Sequence, residues 1–271
     1  MLRRKGRIPQ YPLGSERDYR VALLSLITKA KSLWRNIVIP RIRQDADEIP
    51  LDDLAIIEMA LREFDQSLIS VYSLSTAQAL AQKTGTDAAK FILNQTQKSL
   101  VSVGAPADLG VNPLASNPDL RRLVESWANK NVELIQNVGV QVQQQIKDVV
   151  LTGYANGTSW RDIVKQVEAG LNGQAGRFAT VENRAKLIAR NEIGNLNSAL
   201  TKYRYIDAGV EKYTWNTAGD NRVRDTHRAL AGETFSLQGE GTAPGGIFPG
   251  SEASCRCVAQ AVPMTTSKEM P

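Results

Sequence analysis

The sequence predicts an α+β protein, with a mainly helical N-terminal two-thirds followed by a small, loop-rich α+β domain at the C-terminus. Two observations support this prediction. Apolar residues recur every three or four positions along most of the chain before Gly209, which is the spacing of an amphipathic helix. After Gly209, polar and aromatic residues alternate as in a strand, and the many glycines and prolines that follow indicate loops.

The first 15 residues are predicted to form a basic, extended arm. Pro9, Pro12 and Gly14 disfavour a helix there. Residues 1–43 contain 11 Lys or Arg residues against Glu16 and Asp18, a net charge of +9, which leaves −4 for the rest because the chain sums to +5. Such asymmetry favours an acidic partner, namely nucleic acid, a membrane surface or an acidic protein, although a solvated tail without a partner is the alternative.

A helical domain is predicted over residues 16–155. Its first helix follows Ser15 and is expected to end at Pro40. The second begins near Asp52 and carries one apolar stripe, which consists of Leu54, Ile57, Leu61, Phe64 and Leu68. A short helical stretch from Thr76 to Gln82 and a loop from Gly104 to Pro118 are expected next.

Capping residues predict the later helices. Asn117-Pro118 starts a long helix that reaches about Leu151, because Asn accepts from free N–H groups and Pro is tolerated at the first helical position. Thr158-Ser159 caps the next helix, which a break at residues 173–176 ends. Thr180 begins a further helix that ends at Gly209.

The C-terminal domain is predicted over residues 156–263, with residues 264–271 as a flexible tail. Residues 212–217 and 256–262 have the composition of strands. Composition is otherwise that of a soluble globular protein, with 42% hydrophobic and 23% charged residues. No apolar run is long enough for a transmembrane helix or a secretory signal, so we expect a protein made and kept in a cytoplasm, without a membrane partner.

The single histidine and the two cysteines of the chain, His227, Cys255 and Cys257, lie within this domain. Imidazole and thiolate are the donors that zinc prefers, and a metal would close the loop of 27 residues between His227 and Cys255. The sequence therefore predicts a candidate zinc site. The alternative is a pair of reduced, buried thiols, since two cysteines one residue apart do not form an unstrained disulfide. A fourth ligand is not evident, and the candidates are Asp220, Asp225, Glu252 and water.

Ordered motifs in this region resemble the C-terminal domain of the Mu F-like minor head proteins of tailed bacteriophages, also called phage head morphogenesis proteins. The motifs are Ile188-Ala189-Arg190-Asn191-Glu192, Tyr213-x-Trp215, Asp220-x-Arg222-x-Arg224-x-x-His227, Leu230-x-Gly232-x-x-Phe235 and Cys255-Arg256-Cys257. The resemblance covers about residues 155–263. This chain has Arg224 and Glu252 where many family members carry further cysteine or histidine residues.

The resemblance implies a structural protein of the virion, inside the head near the portal vertex, that passes through the host cytoplasm during assembly. Its implied partner is the portal protein, with major capsid or scaffolding protein as further candidates. Packaged double-stranded DNA is a compatible partner of the basic arm through phosphate contacts without base reading. The candidate DNA-contact residues are Arg3, Arg4, Lys5 and Arg7.

Two other function classes are weighed against this interpretation. One is a metal-dependent enzyme or toxin-related module, since some relatives of the domain are joined to toxins and an open metal site can activate water. The chain shows no Ser-His-Asp order, phosphate-binding glycine loop or deaminase motif, so we predict that it is not an enzyme. The other is a free-standing, non-specific DNA-binding protein. The motif charges are expected to pair locally, Asp220 with Arg222 or Arg224, and Arg190 with Glu192.

Overall fold

The computed structural model describes residues 6–42, 54–107, 112–172 and 180–263. The predicted fold class is confirmed, because helices dominate and one small sheet lies near the C-terminus. The helices are α1 (Leu13–Leu33), α2 (Ile39–Ile42), α3 (Leu54–Val71), α4 (Leu74–Ser102), α5 (Pro113–Ser116), α6 (Pro118–Ala155), α7 (Trp160–Leu171), α8 (Val181–Asp207) and α9 (Asp225–Ala229). The strands are β1 (Lys212–Asn216), β2 (Thr234–Ser236) and β3 (Val258–Ala261). No helix within these ranges is long and apolar enough to cross a membrane.

The chain divides into two compact units, each built from separate stretches of sequence. Unit 1 comprises Met1–Arg17, Gln82–Ala128 and Arg190–Pro271, and unit 2 comprises Asp18–Ala81 and Asn129–Ala189. Four helices, α1, α4, α6 and α8, contribute residues to both units. The sequence-based domain boundaries after residues 15, 155 and 263 remain predictions.

Within the described residues of unit 2, all regular secondary structure is helical, and the core of this unit contains the predicted stripe of α3. Ile57, Leu61, Phe64 and Leu68 are buried, whereas Leu54 at the start of the helix is exposed. Gly139 of α6 lies against Tyr72, where an added Cβ would be 2.6 Å from the Tyr72 Cγ. Close approach of the backbone therefore explains a glycine in the middle of this helix.

The predicted end of the first helix at Pro40 is wrong, because helical structure continues to Ile42. Residues Trp34–Val38 form a π-helical turn, in which the N–H of Ile39 bonds to the carbonyl of Trp34. Pro40 then falls in the first turn of α2, where a missing N–H is tolerated.

The predicted caps are confirmed at three helix starts. The Asn117 side chain accepts from the N–H groups of Asp119 and Leu120, both at 3.0 Å, at the start of α6. Ser159 accepts from the N–H of Asp162 before α7, and Thr180 accepts from Asn183 before α8. The predicted break at residues 173–176 lies outside the described residues.

In unit 1 the three strands form an antiparallel sheet in the order β2-β1-β3. Trp215 in the central strand is opposite Ala259 of β3, and its side chain is fully buried. Tyr205 of α8 packs in the same core and donates a hydrogen bond of 2.9 Å to the Ala259 carbonyl. The sheet thus rests on the C-terminal half of α8.

Residues 6–12 have no regular secondary structure, but they are bound to unit 1. The Arg7 N–H donates to Ser102 Oγ at 2.6 Å, and Ser99 Oγ donates to the Arg7 carbonyl at 3.0 Å, both on α4. The Gln260 amide of β3 donates to the Gly6 carbonyl. This part of the predicted arm is therefore fixed along α4 and β3, while residues 1–5 and 264–271 lie outside the described residues.

Candidate metal centre

The structure brings His227, Cys255 and Cys257 together in unit 1. His227 Nδ1 lies 3.4 Å from Cys255 Sγ and 3.7 Å from Cys257 Sγ, and the three candidate ligand atoms all lie within 4.8 Å of one another. All three residues are buried, with His227 only 3% exposed. Residues that are far apart in sequence therefore form one compact cluster.

Each member of the cluster is held by its neighbours in unit 1. His227 lies in α9, where the indole ring of Trp215 contacts it edge-on with 5.3 Å between the ring centroids. The cysteines follow a tight turn in which Ser254 adopts a φ of 58° and the Cys255 N–H donates to the Glu252 carbonyl at 3.0 Å. Asn191 Oδ1 accepts from the Ser254 N–H at 2.7 Å, which fixes this left-handed turn against α8.

A carboxylate orients the imidazole. Glu252 Oε2 lies 2.5 Å from His227 Nε2, so Nε2 carries the proton and donates it, which leaves the Nδ1 lone pair directed at the two sulfurs. Arg224 holds Glu252 in place, with Nη1 donating to Oε2 at 3.0 Å. Arg224 and Glu252 occupy the two positions where the sequence departs from the family motif, and here they pair with each other.

The two thiols interact with each other. A hydrogen bond from the Cys257 side chain lowers the pKa of Cys255 to about 6, against the opposing effect of burial. The same interaction raises the pKa of Cys257. Cys255 is therefore the more acidic of the two thiols.

This donor set fits a tetrahedral zinc ion. Zinc binds sulfur at about 2.3 Å and imidazole nitrogen at about 2.0–2.1 Å, which places the sulfur and nitrogen atoms about 3.6 Å apart in a tetrahedron. The observed separations of 3.4 and 3.7 Å agree with that value. Within the described ranges no fourth His, Cys, Asp or Glu joins the cluster. Glu252 contacts the opposite ring nitrogen, Asp220 pairs with Arg222 and Asp225 is fully exposed.

A second buried charge cluster adjoins the cysteines. Arg256, between them in sequence, donates to Glu16 from Nε at 3.0 Å and from Nη2 at 2.5 Å. Burial by itself raises the pKa of Glu16, but the hydrogen bonds and charge of Arg256 outweigh it and hold the pKa below its ordinary value. Arg190 Nε lies 3.7 Å from the same carboxylate. The predicted pairing of Arg190 with Glu192 is therefore wrong, because Arg190 faces Glu16 instead.

The remaining predicted residues lie elsewhere in the chain. Asp220 and Arg222 form the expected pair, with two hydrogen bonds of 3.0 and 2.6 Å, in which Asp220 is half-buried and Arg222 is exposed. Arg7 is exposed, as a DNA-contact residue requires. Arg3, Arg4 and Lys5 lie outside the described residues.

Comparison with known proteins agrees with the motif resemblance. Residues 144–260 match the family described as Phage Mu protein F like protein, which supports a phage head morphogenesis protein. An uncharacterised protein of Haemophilus influenzae is 29% identical over 145 residues, which make up 54% of this chain and 30% of that protein. The chain thus matches less than a third of the length of this relative. No solved structure matches the chain significantly.

Proposed function

We propose that this chain, whose residues 144–260 are Mu F-like, acts at the portal vertex inside the head of a tailed bacteriophage during head assembly or genome delivery. The match carries the proposal, because it spans α7, α8, β1, β2, β3 as far as Gln260 and the complete His/Cys/Cys cluster. The virion is accordingly the proposed location, with the host cytoplasm as the site of synthesis and assembly.

The portal protein is the proposed partner, with major capsid or scaffolding protein as alternatives. The solvent side of α3, opposite its buried stripe, supports docking, because it carries large exposed apolar side chains that include Met59 at 63% and Ile69 at 70% exposure. The exposed ion pair of Arg62 and Glu58 lies on the same helix.

The test is co-purification from cells that express this chain with the portal protein of the same phage. The protein should elute with the portal ring, and replacement of both Met59 and Ile69 by serine should abolish co-elution. A matched variant, Lys83→Ser with Lys90→Ser, changes two exposed residues of α4 in unit 1 and should co-elute normally. Failure of the unmodified protein to associate with the ring would refute portal association.

Zinc is the proposed ligand of His227, Cys255 and Cys257, with a structural role. A bound zinc ion would connect α9 to the segment before β3 and add its binding free energy to the stability of the fold. Protein purified without chelator should contain about one zinc per chain, and His227→Ala or Cys257→Ser should lose the metal and melt at a lower temperature. Metal-free protein with the same melting temperature in both variants would favour buried thiols instead.

The arrangement favours a structural role over a catalytic one. Both ring nitrogens of His227 are engaged, Nε2 by Glu252 and Nδ1 by the sulfurs, so the imidazole offers no free general base. A metal-dependent hydrolase or toxin module is therefore the less favoured function.

DNA contact by the basic N-terminus is proposed to accompany portal association. Arg7 is exposed beside α4, and Arg3, Arg4 and Lys5 precede it in sequence. Replacing Arg3, Arg4 and Lys5 by glutamine should weaken duplex binding and reduce the slope of log K against log salt by about 3, roughly 0.9 per lost phosphate contact. An unchanged slope would exclude these residues as phosphate contacts.

A further inference from the structure

A cleft of about 100 Å³ opens at the His/Cys/Cys cluster in unit 1, and His227, Cys255 and Cys257 form part of its wall. Four arginines, Arg190, Arg222, Arg224 and Arg256, and one carboxylate, Asp220, line it. Neither a structural metal nor portal docking explains why so many guanidinium groups converge on one small space. The lining instead has the chemistry of an anion site.

Three of these arginines have a close carboxylate partner, and the fourth arginine does not. The pairs are Arg222 with Asp220, Arg224 with Glu252 and Arg256 with Glu16. Arg190 differs, because its Nε is buried without a hydrogen-bond partner and its ion contact with Glu16 is 3.7 Å long. Glu16 already accepts two hydrogen bonds from Arg256. Arg190 therefore offers hydrogen-bond donors to a ligand.

We propose that this cleft binds a phosphate group, with Arg190 as the main donor and Arg222, whose Nε and Nη2 also donate to Asp220, as a second donor. Guanidinium groups match phosphate oxygens in geometry and bind them with paired, charge-assisted hydrogen bonds. Four arginines face three carboxylates, Glu16, Asp220 and Glu252, so the guanidinium groups outnumber the carboxylates by one.

The size of the cleft restricts the kind of phosphate. A water-sized group needs roughly 10–15 Å³ of such space, so about 100 Å³ accommodates a five-atom phosphate. A phosphate within a duplex is flanked by two sugars and is too large to enter. The ligand is therefore a free phosphate ion or the terminal phosphate of a nucleic-acid strand, and this inference is independent of portal docking.

The experiment is calorimetric titration of the full chain with inorganic phosphate at constant ionic strength in a chloride background. We expect a dissociation constant on the order of 1 mM. Arg190→Gln and Arg222→Gln should each weaken binding by about tenfold, because each removes charged hydrogen bonds to the ligand. Arg122→Gln is the matched control, since Arg122 is an exposed arginine of unit 1 that pairs with Asp119 in the same way but lies outside the cleft.

Short duplexes with 5′-phosphate or 5′-hydroxyl ends distinguish the two sources. If only the phosphorylated duplex competes with inorganic phosphate, the ligand is a strand end. If neither duplex competes, the ligand is the free phosphate ion. Absence of phosphate-specific heat overturns the proposal. Equal phosphate affinities in the two cleft variants and in Arg122→Gln also overturn the proposal. So does phosphate binding that a chelator abolishes but that the cleft variants leave unchanged, because the phosphate would then bind a metal.

Discussion

Replacement of Glu16 by glutamine tests the buried charge cluster that joins the start of the chain to its end. The glutamine side chain is nearly the same size as that of glutamate but carries no charge, so packing is retained while Arg256 loses its counter-ion. The Glu16 side chain is 9% exposed and that of Arg256 is 16% exposed. Solvent therefore compensates little for the lost charge, and Asp220 is the remaining carboxylate that acts on Arg256.

The structure sets the expected magnitude. Removing one partner of a buried ion pair costs about 3–5 kcal/mol, and the amide oxygen of glutamine recovers one hydrogen bond of roughly 1 kcal/mol. We therefore expect the free energy of unfolding to fall by about 2–4 kcal/mol. At roughly 2–4 °C per kcal/mol for a chain of this size, the melting temperature should fall by about 4–16 °C.

The effect should also depend on pH in a defined direction. The pKa of Glu16 in the folded protein lies below its ordinary value of 4.5, because the Arg256 hydrogen bonds outweigh burial. A carboxylate with a depressed pKa contributes stability that is present above the unfolded pKa and is lost as the pH falls through the folded pKa. The difference between the two proteins should thus be constant from about pH 6 to 8 and shrink below about pH 4.

Urea unfolding followed by tryptophan fluorescence, together with calorimetry, measures these changes. Glu168→Gln is the matched control, because Glu168 accepts two hydrogen bonds from Arg35 at 3.0 and 2.9 Å but its side chain is 36% exposed. An exposed pair contributes about 0–1 kcal/mol, so the control should lose no more than that. Equal losses in the two variants would refute the argument from burial.

Three further predictions concern single side chains. Cys257→Ser should abolish stoichiometric zinc, as measured by elemental analysis, while retained metal would exclude this sulfur as a ligand. Glu252→Gln should keep the metal but weaken its affinity by about 10–100-fold in a chelator competition, because the imidazole loses its orienting carboxylate. An unchanged metal affinity would contradict that role of Glu252. Gly139→Ala should cost about 1–3 kcal/mol in urea unfolding, since its Cβ would clash with Tyr72, whereas Gly14→Ala, which has open space around it, should cost nothing.

Local signals in the sequence predicted much of the helical structure. The cap at Asn117 and the stripe of α3 depend on residues a few positions apart, so periodicity and capping suffice to find them. Helix α4 was predicted only from Thr76 to Gln82, although it extends from Leu74 to Ser102. Gly85 weakens the local helical signal, but it lies where an added Cβ would be 2.9 Å from the Trp127 ring. Tertiary packing therefore selects a residue that propensity disfavours.

The sheet and the site show the same limit. Strand β2 has only three residues and was not predicted, because it forms through pairing with β1 rather than through a pattern of its own. The candidate ligands were found because histidine and cysteine are rare in this chain. The Glu16–Arg256 pair beside them was not predicted, since two residues that are 240 positions apart leave no pairing signal in one sequence.

The alternation of side chains along Cys255-Arg256-Cys257 connects the candidate metal centre to the N-terminus. Neighbouring side chains in an extended segment point to opposite sides, so both sulfurs face His227 while the intervening Arg256 reaches Glu16. Deletion of residues 1–16 would remove the Glu16 carboxylate and the Gly6 carbonyl that binds Gln260. We expect this truncation to destabilise the cysteine segment and to lower zinc content together with DNA affinity. The substitution of Arg3, Arg4 and Lys5 should lower DNA affinity alone. Full zinc content and an unchanged melting temperature in the truncated protein would show that the cysteine segment folds without its N-terminal counter-ion.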